Sequence, residues 1–353
     1  MKDRWSVAVL RGDGTGPEVI GAALIVAKAV NRRFGITMRF TEGKAGYNCI
    51  RRLGTNLPDA TLRLLKKSDC VIKGPMTTPE GQGSETSAAV KIRKAFKLYA
   101  NVRPAKSLAG VKGIKDQVDM VIVRENTEGM YSGFDVRVND DTAIGMRLVT
   151  REASRKVGRF ALDMAARRKK HLTIVHKGNI LKETDGLFKE SIMEEATDKK
   201  YRMVKVDDAH VDAMAQWLIK SPVNYDVIVT ENLFGDILSD EAAEIVGGVG
   251  VGPSANIGEG YAMFEPVHGS APKYTGMDKM NPIASILSLK MMYEWMGYEE
   301  AGKAILAAVE GAIGDGYRTY DIGGESRCSE VGKAIAVRIA NDDPAMSKMP
   351  SAR

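Results

Sequence analysis

Two aspartates spaced four residues apart, Asp236 and Asp240, are the clearest candidates for chemistry in the sequence. They follow the apolar segment 227–229, which is typical of a buried strand. The spacing predicts that both carboxylates lie on one face of a helix that begins near Gly235. Two anions on one helix face repel each other, and a hard divalent cation such as Mg²⁺ or Mn²⁺ would offset that repulsion. The alternative is a solvated acidic helix start, which the helix dipole favours.

Three arginines stand beside predicted strands, Arg93 before one strand and Arg103 and Arg124 directly after two others. A guanidinium group binds a carboxylate through two parallel hydrogen bonds, so three converging arginines would fit a small di- or tricarboxylate. Tyr131 and Lys177 also follow strands. A tyrosine can donate a proton, and a desolvated or cation-flanked lysine can accept one near neutral pH. Taken singly, each arginine is more often an ordinary surface residue, so the inference depends on their joint position.

Strands and helices that alternate along the chain must position these side chains. Strands are predicted for 5–10, 36–42, 70–72, 98–102, 119–123, 172–175, 202–206 and 227–229, with a β-hairpin over 134–150. Helices are predicted for 19–34, 59–67, 151–168, 212–220, 282–296, 298–313 and 329–340, and loops for 258–280. This alternation predicts a mostly parallel α/β sheet, which binds ligands where its strands end. The loop 73–83, rich in glycine, proline and threonine, is a candidate ligand loop for that reason.

The glycine-rich segment 12–18 connects the first predicted strand to the first helix. Its glycines follow the pattern G-x-G-x-G and Pro17 comes next, which is not the G-x-G-x-x-G fingerprint of a dinucleotide-binding loop. A proline in the first helical turn simply starts the helix. We therefore predict a tight connection near a ligand-binding edge and no Rossmann phosphate loop.

Length and composition limit the class of protein. A chain of 353 residues, 44% hydrophobic and 27% charged, is of globular type and long enough for two domains. The net charge of +6 is spread along the chain, and the longest basic cluster, 167–170, has no interleaved aromatic residues. A nucleic-acid partner is therefore not expected, whereas a small polyanionic substrate would benefit from the positive field.

No apolar stretch approaches the length of a membrane span, and the N-terminal residues read as a first strand and not as a signal peptide. The three cysteines, Cys49, Cys70 and Cys328, are scattered and odd in number, which argues against a disulfide framework. We expect no membrane partner and a reducing, cytoplasmic setting.

Five motifs in order along the chain resemble those of one enzyme family. They are residues 12–18, 98–104, 124–128, 232–236 and 264–272. With them the chain resembles, over nearly its full length, the β-decarboxylating hydroxyacid dehydrogenases, which act on isocitrate, homoisocitrate or 3-isopropylmalate. The resemblance implies a two-domain fold that is not the Rossmann fold. Mapped onto this chain, residues 1–98 with 248–353 would form the cofactor-side domain, and 99–247 would form a smaller domain with the dimer interface.

The same resemblance implies a role for each candidate side chain. Arg93, Arg103, Arg124 and Ser87 would bind the substrate, and Asp236, Asp240 and Asp212 would hold Mg²⁺ or Mn²⁺, with Lys177 and Tyr131 as catalytic residues. Asp212 and Lys177 would reach in from the neighbouring subunit, so that the active site requires a homodimer. The implied reaction removes a hydride and a proton from the substrate and releases CO₂. Tyr131 then protonates the substrate carbon that lost the CO₂.

The cofactor implied by the resemblance is NADP, with NAD possible. NAD-dependent members have an aspartate where this chain has Lys273, and a lysine followed by Tyr274 suits a 2′-phosphate that an aspartate would repel. Tyr320 matches a further phosphate contact, but Gly324 stands where an arginine is expected. The remaining implied cofactor contacts are Lys73, Thr78, Gln216, His268, Gly269, Ser270, Ala271 and Asn281.

For the substrate, residues 73–79 and 176–179 resemble isocitrate dehydrogenases, which predicts conversion of isocitrate to 2-oxoglutarate and CO₂. Ser87 matches the isocitrate pattern, but Ala89 replaces an asparagine. Homoisocitrate and 3-isopropylmalate are therefore open alternatives. A catalytically silent regulatory subunit is a weaker alternative, because the catalytic and metal-binding positions are all retained.

Overall fold

The computed structural model describes residues 2–79, 81 and 84–341. Residues 80, 82 and 83 of the predicted ligand loop lie outside the described residues. The strands are β1 (Trp5–Leu10), β2 (Met38–Gly43), β3 (Cys70–Lys73), β4 (Ala100–Lys106), β5 (Asp119–Glu125), β6 (Gly129–Asn139), β7 (Thr142–Leu148), β8 (His171–His176), β9 (Lys205–His210), β10 (Val227–Thr230), β11 (Pro253–Ile257) and β12 (Ala262–Pro266).

The helices occupy the connections between these strands and the C-terminal part of the chain. They are α1 (Gly16–Phe34), α2 (Tyr47–Leu53), α3 (Asp59–Lys67), α4 (Ala88–Ala95), α5 (Arg151–Arg167), α6 (Thr184–Ala196), α7 (Val211–Lys220), α8 (Asn232–Ile245), α9 (Ile283–Trp295), α10 (Glu299–Gly314) and α11 (Cys328–Asn341). Among the described residues, no helix is both long and apolar enough to cross a membrane.

One ten-stranded sheet runs through the molecule, in the order β2-β1-β3-β12-β11-β4-β5-β10-β8-β9. Its outer parts are parallel, and only the central pairs β12–β11, β11–β4 and β4–β5 are antiparallel. The predicted mostly parallel α/β fold is therefore confirmed. The pair β11–β4 lies where the predicted domain boundary crosses the sheet, and the division into two domains stays a prediction.

The alternation of side chains along β4 and β5 places the arginines on one face of the sheet. On β5, Val121 and Val123 pack into the main core, whereas Met120 and Ile122 join a second core that contains residues of α8. Arg124, two residues beyond Ile122, therefore faces α8 as well. The same alternation on β4 directs Arg103 toward this helix.

The structure corrects several predicted strand boundaries. Arg103 and Arg124 lie inside β4 and β5, not after them. The predicted loop 258–280 contains β12, and β11 precedes it. Polar side chains on these strands are buried in a shared network, in which Asn256 donates one hydrogen bond to Glu265 and accepts one from Asn101. That network gives no apolar alternation by which the two strands could be recognised.

The predicted strand 202–206 is also wrong, because the strand is Lys205–His210. Asp207 and Asp208 lie within this edge strand, where their carboxylates contact His171 and His176 on β8 at 2.9 Å each. Two consecutive charged residues predict the end of a strand, but their partners on β8 allow this strand to continue through them.

The hairpin β6–β7 stands apart from the large sheet. Its register pairs Phe134 with Met146 and Val136 with Ile144, so these four apolar side chains share one face. All four are exposed in the single chain. The hairpin predicted from the sequence is confirmed, and its apolar face is exposed in the part of the chain that the structure describes.

Candidate active site

Helix α8 carries Asp236 and Asp240, and it begins at Asn232, not near Gly235. Glu231 caps the helix, because its carboxylate accepts a hydrogen bond from a backbone N–H of the first turn at 2.9 Å. The start of α8 is therefore set by a buried carboxylate and not by the glycine.

Arg103 connects the two aspartates of α8. Its guanidinium nitrogens lie 3.0 Å from Asp240 Oδ1 and 3.2 Å from Asp236 Oδ1. The same side chain donates hydrogen bonds to Ser239 Oγ at 2.8 Å and to Asn101 Oδ1 at 2.7 Å. These bonds fix the guanidinium group in position before any ligand binds.

Arg124 is buried beneath α8. Its guanidinium donates two hydrogen bonds to Asn232 Oδ1, at 2.7 and 2.9 Å, and contacts Asp236. A Cβ added to Gly235 would lie 2.6 Å from Arg124 Cγ, so the glycine is required by this close approach. Burial and repulsion from Arg103 and Arg93 lower the pKa of Arg124 to about 10. The three cations therefore converge on one region, as the positions of the three arginines beside predicted strands indicate.

Tyr131 reaches the same cluster from β6. Its hydroxyl donates a hydrogen bond to Asp236, and the guanidinium of Arg124 lies 4.9 Å from the centre of its ring. Burial raises the pKa of Tyr131, and the hydrogen bond to Asp236 raises it further. The phenol is therefore protonated at neutral pH and can act as a proton donor.

The two aspartates of α8 differ in their protonation. Burial acts to raise the pKa of Asp236, but the charges of Arg124 and Arg103 outweigh burial and hold the pKa below its usual value. For Asp240, burial is again the largest influence, and because Arg103 offsets it only in part, the pKa is raised. Asp236 is therefore the permanent anion of the pair, and Asp240 is the more easily protonated one.

Arg93 is held by a buried carboxylate that the sequence reasoning did not single out. Glu265 on β12 lies 3.0 Å from Arg93 Nη2, contacts Lys73 Nζ and accepts a hydrogen bond from Asn256 at 2.8 Å. Burial opposes ionisation, but the adjacent Lys73 and Arg93 hold the pKa of Glu265 well below its usual range. Glu265 thus positions one arginine of the cluster and one predicted cofactor residue.

Lys177 and Asp212 lie elsewhere in the chain, after β8 and at the start of α7. Lys177 Nζ donates a hydrogen bond to Asp212 Oδ1 at 2.6 Å, and this bond lowers the pKa of Asp212. Within the described part of the chain, no hydrogen bond or ion pair joins the two residues to the arginine cluster. Gln216, one helical turn after Asp212, is exposed on the same helix.

The donor set on α8 suits a divalent metal ion only in part. Two carboxylates that contact one guanidinium lie close together and offer the oxygen ligands that Mg²⁺ and Mn²⁺ prefer. Among residues 2–79, 81 and 84–341, however, no group of three or more His, Cys, Asp or Glu side chains is arranged to hold a metal. Any such site would need further ligands from substrate, water or a second chain.

Four of the predicted cofactor residues, His268, Gly269, Ser270 and Ala271, lie on the loop after β12. Burial lowers the pKa of His268, so its ring is neutral. Nδ1 lies 3.0 Å from the carbonyl oxygen of Gly269, and Nε2 is a buried acceptor with no partner among the described residues. Ser270 Oγ lies 2.7 Å from Thr77 Oγ1, and Ala271 has a left-handed backbone with a φ of 40°. The unpartnered nitrogen and the space beside Gly269 fit a cofactor with a hydrogen-bond donor.

A second group of predicted cofactor residues contains an unexpected lysine. Lys273 Nζ lies 4.8 Å from the ring centre of Tyr274, and Lys279 Nζ lies 5.2 Å from that ring and 4.5 Å from the ring of Tyr320. Lys279 follows the recognised motif by seven residues, and only its position beside both rings identifies it. A Cβ on Gly324 would lie 2.1 Å from a backbone oxygen, so no side chain fits there.

The remaining predicted site residues differ in exposure. Ser87 precedes α4 and its hydroxyl makes no capping hydrogen bond to that helix. Thr78 is exposed. Asn281 is buried, where it donates to Asp321 at 3.0 Å and accepts from the backbone N–H of Ile283 at the start of α9.

Comparison with known proteins identifies the family of the chain. A family model described as isocitrate/isopropylmalate dehydrogenase matches residues 6–335. The 3-isopropylmalate dehydrogenase of Sulfurisphaera tokodaii is 41% identical over 336 residues, which cover 93% of this chain and 97% of the relative. The isocitrate/homoisocitrate dehydrogenase of Thermus thermophilus is 42% identical over 333 residues, covering 94% and 97%.

A solved structure of isocitrate dehydrogenase from Methylococcus capsulatus superposes with a TM-score of 0.90 at 40% identity, covering 95% of this chain and 99% of that one. Several similar relatives are named 3-isopropylmalate dehydrogenase, and one is named 3-isopropylmalate/3-methylmalate dehydrogenase. The family match spans nearly the whole chain and includes the arginine cluster, Tyr131 and α8. The chain therefore belongs to the isocitrate/isopropylmalate dehydrogenase family.

Proposed function

We propose that the protein oxidises and decarboxylates a 3-substituted malate, with isocitrate as its first candidate substrate, NADP as hydride acceptor and Mg²⁺ or Mn²⁺ as metal. The observation that carries the proposal is the convergence of Arg93, Arg103 and Arg124 beside Asp236. Three preorganised guanidinium groups match a substrate with two or three carboxylates.

The chemistry follows from the side chains around this cluster. The arginines would bind and orient the substrate carboxylates, and Asp236 and Asp240 would supply the chain's own metal ligands. A bound divalent cation would increase the acidity of the substrate hydroxyl and stabilise the negative charge left when CO₂ departs. Lys177 of the partner subunit would accept the hydroxyl proton, and Tyr131 would protonate the substrate carbon.

Two observations support a homodimer with shared active sites. The α8 carboxylates lack a third ligand within the described chain, and Asp212 is not in contact with them. The hairpin β6–β7, next to the candidate site at Tyr131, exposes one apolar face. We propose that a second copy covers this face and brings Asp212, Lys177 and Gln216 to the site. We also propose the division into residues 1–98 with 248–353 and residues 99–247.

The preference for NADP is supported by two cations in a small aromatic cluster. Lys273 and Lys279 lie against Tyr274 and Tyr320, and both ammonium groups are at the surface. A 2′-phosphate could bind between them through charge-assisted hydrogen bonds. In this proposal Lys279 supplies the second cation, in place of the arginine that the resemblance predicts where this chain has Gly324.

The residues near Ser87 should determine whether the protein prefers isocitrate or one of the alternative substrates. Its hydroxyl is not used as a helix cap and could bind the additional carboxylate of isocitrate. The second candidate substrates are 3-isopropylmalate and homoisocitrate. They are supported by Ala89, whose side chain offers no hydrogen bond. They are also supported by similar relatives that are named 3-isopropylmalate dehydrogenase or homoisocitrate dehydrogenase.

Steady-state kinetics with isocitrate, homoisocitrate and 3-isopropylmalate, each with NADP and with NAD and with Mg²⁺ present, would test the proposal. We expect the highest kcat/KM for isocitrate with NADP. A kcat/KM for homoisocitrate or 3-isopropylmalate ten times that for isocitrate would show that isocitrate is not the preferred substrate, and it would still support the proposed reaction. No turnover of any of the three would refute the reaction itself.

A further inference from the structure

Arg147 on β7 occupies a buried position between two elements of the candidate site. Its Nη2 lies 3.0 Å from Asp185 Oδ1 and 2.9 Å from Glu231 Oε1, and its guanidinium carbon lies 4.7 Å from the ring centre of Phe234. The side chains of Arg147, Asp185 and Glu231 are 11%, 1% and 4% exposed. Arg147 thus lies between two buried carboxylates and forms an ion pair with each of them.

One of these anions supports the loop of the predicted catalytic lysine. The other oxygen of Asp185, Oδ2, accepts a hydrogen bond from the backbone N–H of Lys177 at 2.5 Å. Asp185 lies in the first turn of α6, directly after this loop. A displaced Asp185 would therefore move the backbone that carries the lysine.

The other anion supports the start of α8. Glu231 caps this helix through the oxygen that faces Arg147. The next residue, Asn232, accepts both hydrogen bonds from Arg124 and donates one to the carbonyl of Glu128 at 3.0 Å. A displaced Glu231 would therefore disturb Arg124 and the helix that carries Asp236.

Removal of Arg147 would leave two carboxylates buried without their cation. Such charges are strongly destabilised by desolvation unless the structure moves to solvate them. Burial already raises the pKa of Glu231, and Arg147 offsets part of that effect. Relaxation would therefore displace both the Lys177 loop and the first turn of α8.

We propose that Arg147 is a positioning residue that links the Lys177 loop to the start of α8, and so couples the two active sites of a dimer. The coupling rests on the proposed function, in which Lys177 acts at the partner's site and Asp236 at its own. Within one chain, Arg147 then supports residues of two different sites.

Hybrid dimers separate the effect of Arg147 on the Lys177 loop from its effect on the start of α8. A dimer of one Lys177→Met subunit and one Asp236→Asn subunit has one intact site, formed by α8 of the first subunit and the lysine of the second. Arg147→Met added to the first subunit should raise the KM for isocitrate about tenfold, with kcat within about twofold. Added to the second subunit, it should lower kcat about tenfold, with KM within about twofold.

Arg137→Met is the matched control, because Arg137 lies on the same hairpin and, among the described residues, its guanidinium donates a hydrogen bond only to a backbone oxygen of the turn. It should change neither constant by more than about twofold in either subunit. The proposal is overturned if Arg147→Met has the same small effect, or if its effect does not depend on the subunit that carries it.

Two isosteric variants decide the question if Arg147→Met prevents assembly or if the parent hybrid is inactive. In homodimers, Asp185→Asn should lower kcat with little change in KM, and Glu231→Gln should raise KM with little change in kcat. An equal effect of both variants on both constants would contradict the proposal. An inactive parent hybrid beside an active wild-type dimer would refute the shared site and with it the coupling between the two sites, and the homodimer variants would then test only the link between the Lys177 loop and α8 within one chain.

Discussion

Asp236 is the residue on which the most contacts of the site depend. Its carboxylate contacts Arg103 and Arg124 and accepts a hydrogen bond from Tyr131. The same anion thus holds the two arginines proposed to bind the substrate and the proposed proton donor in place, at the cost of partial burial. Preorganisation of this kind is where charged active sites obtain most of their electrostatic effect.

Substitution of Tyr131 should affect proton transfer more than binding. Tyr131→Phe keeps the ring against Arg124 but removes the proton, so we expect kcat to fall by about 10²–10⁴-fold. The KM for the substrate should change by less than about threefold, since no arginine is lost. Because the pKa of Tyr131 is raised, its ionisation should not reduce the wild-type rate between pH 7 and 9.

Steady-state kinetics from pH 6 to 9 measure both effects. Tyr201→Phe is the control, because that tyrosine donates its hydrogen bond to Asp163, outside the site. A kcat for Tyr131→Phe within threefold of the wild type would remove Tyr131 as the proton donor.

Glu265 should contribute to stability in a manner that depends on pH. Glu265→Gln leaves Lys73 and Arg93 buried without their anion, which should lower the free energy of unfolding by about 3–5 kcal/mol at pH 7. The pKa of Glu265 is depressed in the folded state, so its contribution is full above its unfolded pKa of about 4.3 and is lost as the pH falls below that value.

Urea unfolding at pH 7 and at pH 4 and below tests this prediction. The difference between wild type and Glu265→Gln should be largest at pH 7 and should shrink as the solution becomes more acidic. A difference that does not change with pH would show that the ionised carboxylate is not its source.

At the scale of elements, helix α8 and the strands beneath it show what the sequence could predict. The spacing of Asp236 and Asp240 was sufficient to place both on one helix, because helical periodicity is a local property. The predicted ends of β4 and β5 are wrong because an arginine is rarely buried unless it is paired, and no pairing is visible in the local sequence. Here the partner of Arg124 is Asp236, 112 residues away, and no local pattern reveals it.

The same reason explains the strands that were missed. β11 and β12 are short, and their buried polar residues are satisfied by side chains from other strands. Only the completed sheet shows that they belong to it. Spacing, strand position and motif resemblance located the candidate site residues, whereas the roles of Glu265, Arg147 and Lys279 became visible only through their contacts.

Packing between α8 and β5 should make Gly235 intolerant of any side chain. The Cβ of Gly235→Ala would lie 2.6 Å from Arg124 Cγ, so helix and strand must separate. We expect a loss of about 1–3 kcal/mol in the free energy of unfolding. The kcat/KM should also fall, because Arg124 and Asp236 lie on the two separated surfaces.

Gly186→Ala provides the contrast, because Gly186 lies in α6 with nothing within 4 Å of an added Cβ. This substitution should stabilise the protein by about 0.5–1 kcal/mol. Thermal and urea unfolding of both variants measure the difference, and a Gly235→Ala variant as stable and active as the wild type would contradict the close contact.

At the scale of the whole molecule, the sheet joins the two proposed domains through β11 and β4, and the hairpin β6–β7 projects beyond it. An isolated two-stranded hairpin is only marginally stable in water. Its apolar face must therefore gain stability from another surface, and the single chain does not supply one within the described residues. A second copy of the chain would supply it and would complete the site at the same time.

A charge placed on this face should therefore separate the dimer and abolish activity together. Ile144 pairs with Val136 at the centre of the apolar face, so Ile144→Lys should bury an unpaired ammonium in the interface. Val337→Lys on α11 is the control, since Val337 is exposed to a similar extent on a helix of the other proposed domain. Sedimentation velocity should show a dimer for the wild type and Val337→Lys, and a monomer with less than about 1% of the activity for Ile144→Lys. A monomeric Ile144→Lys that retained full activity would show that one chain contains a complete active site, and a dimeric one would place the interface elsewhere.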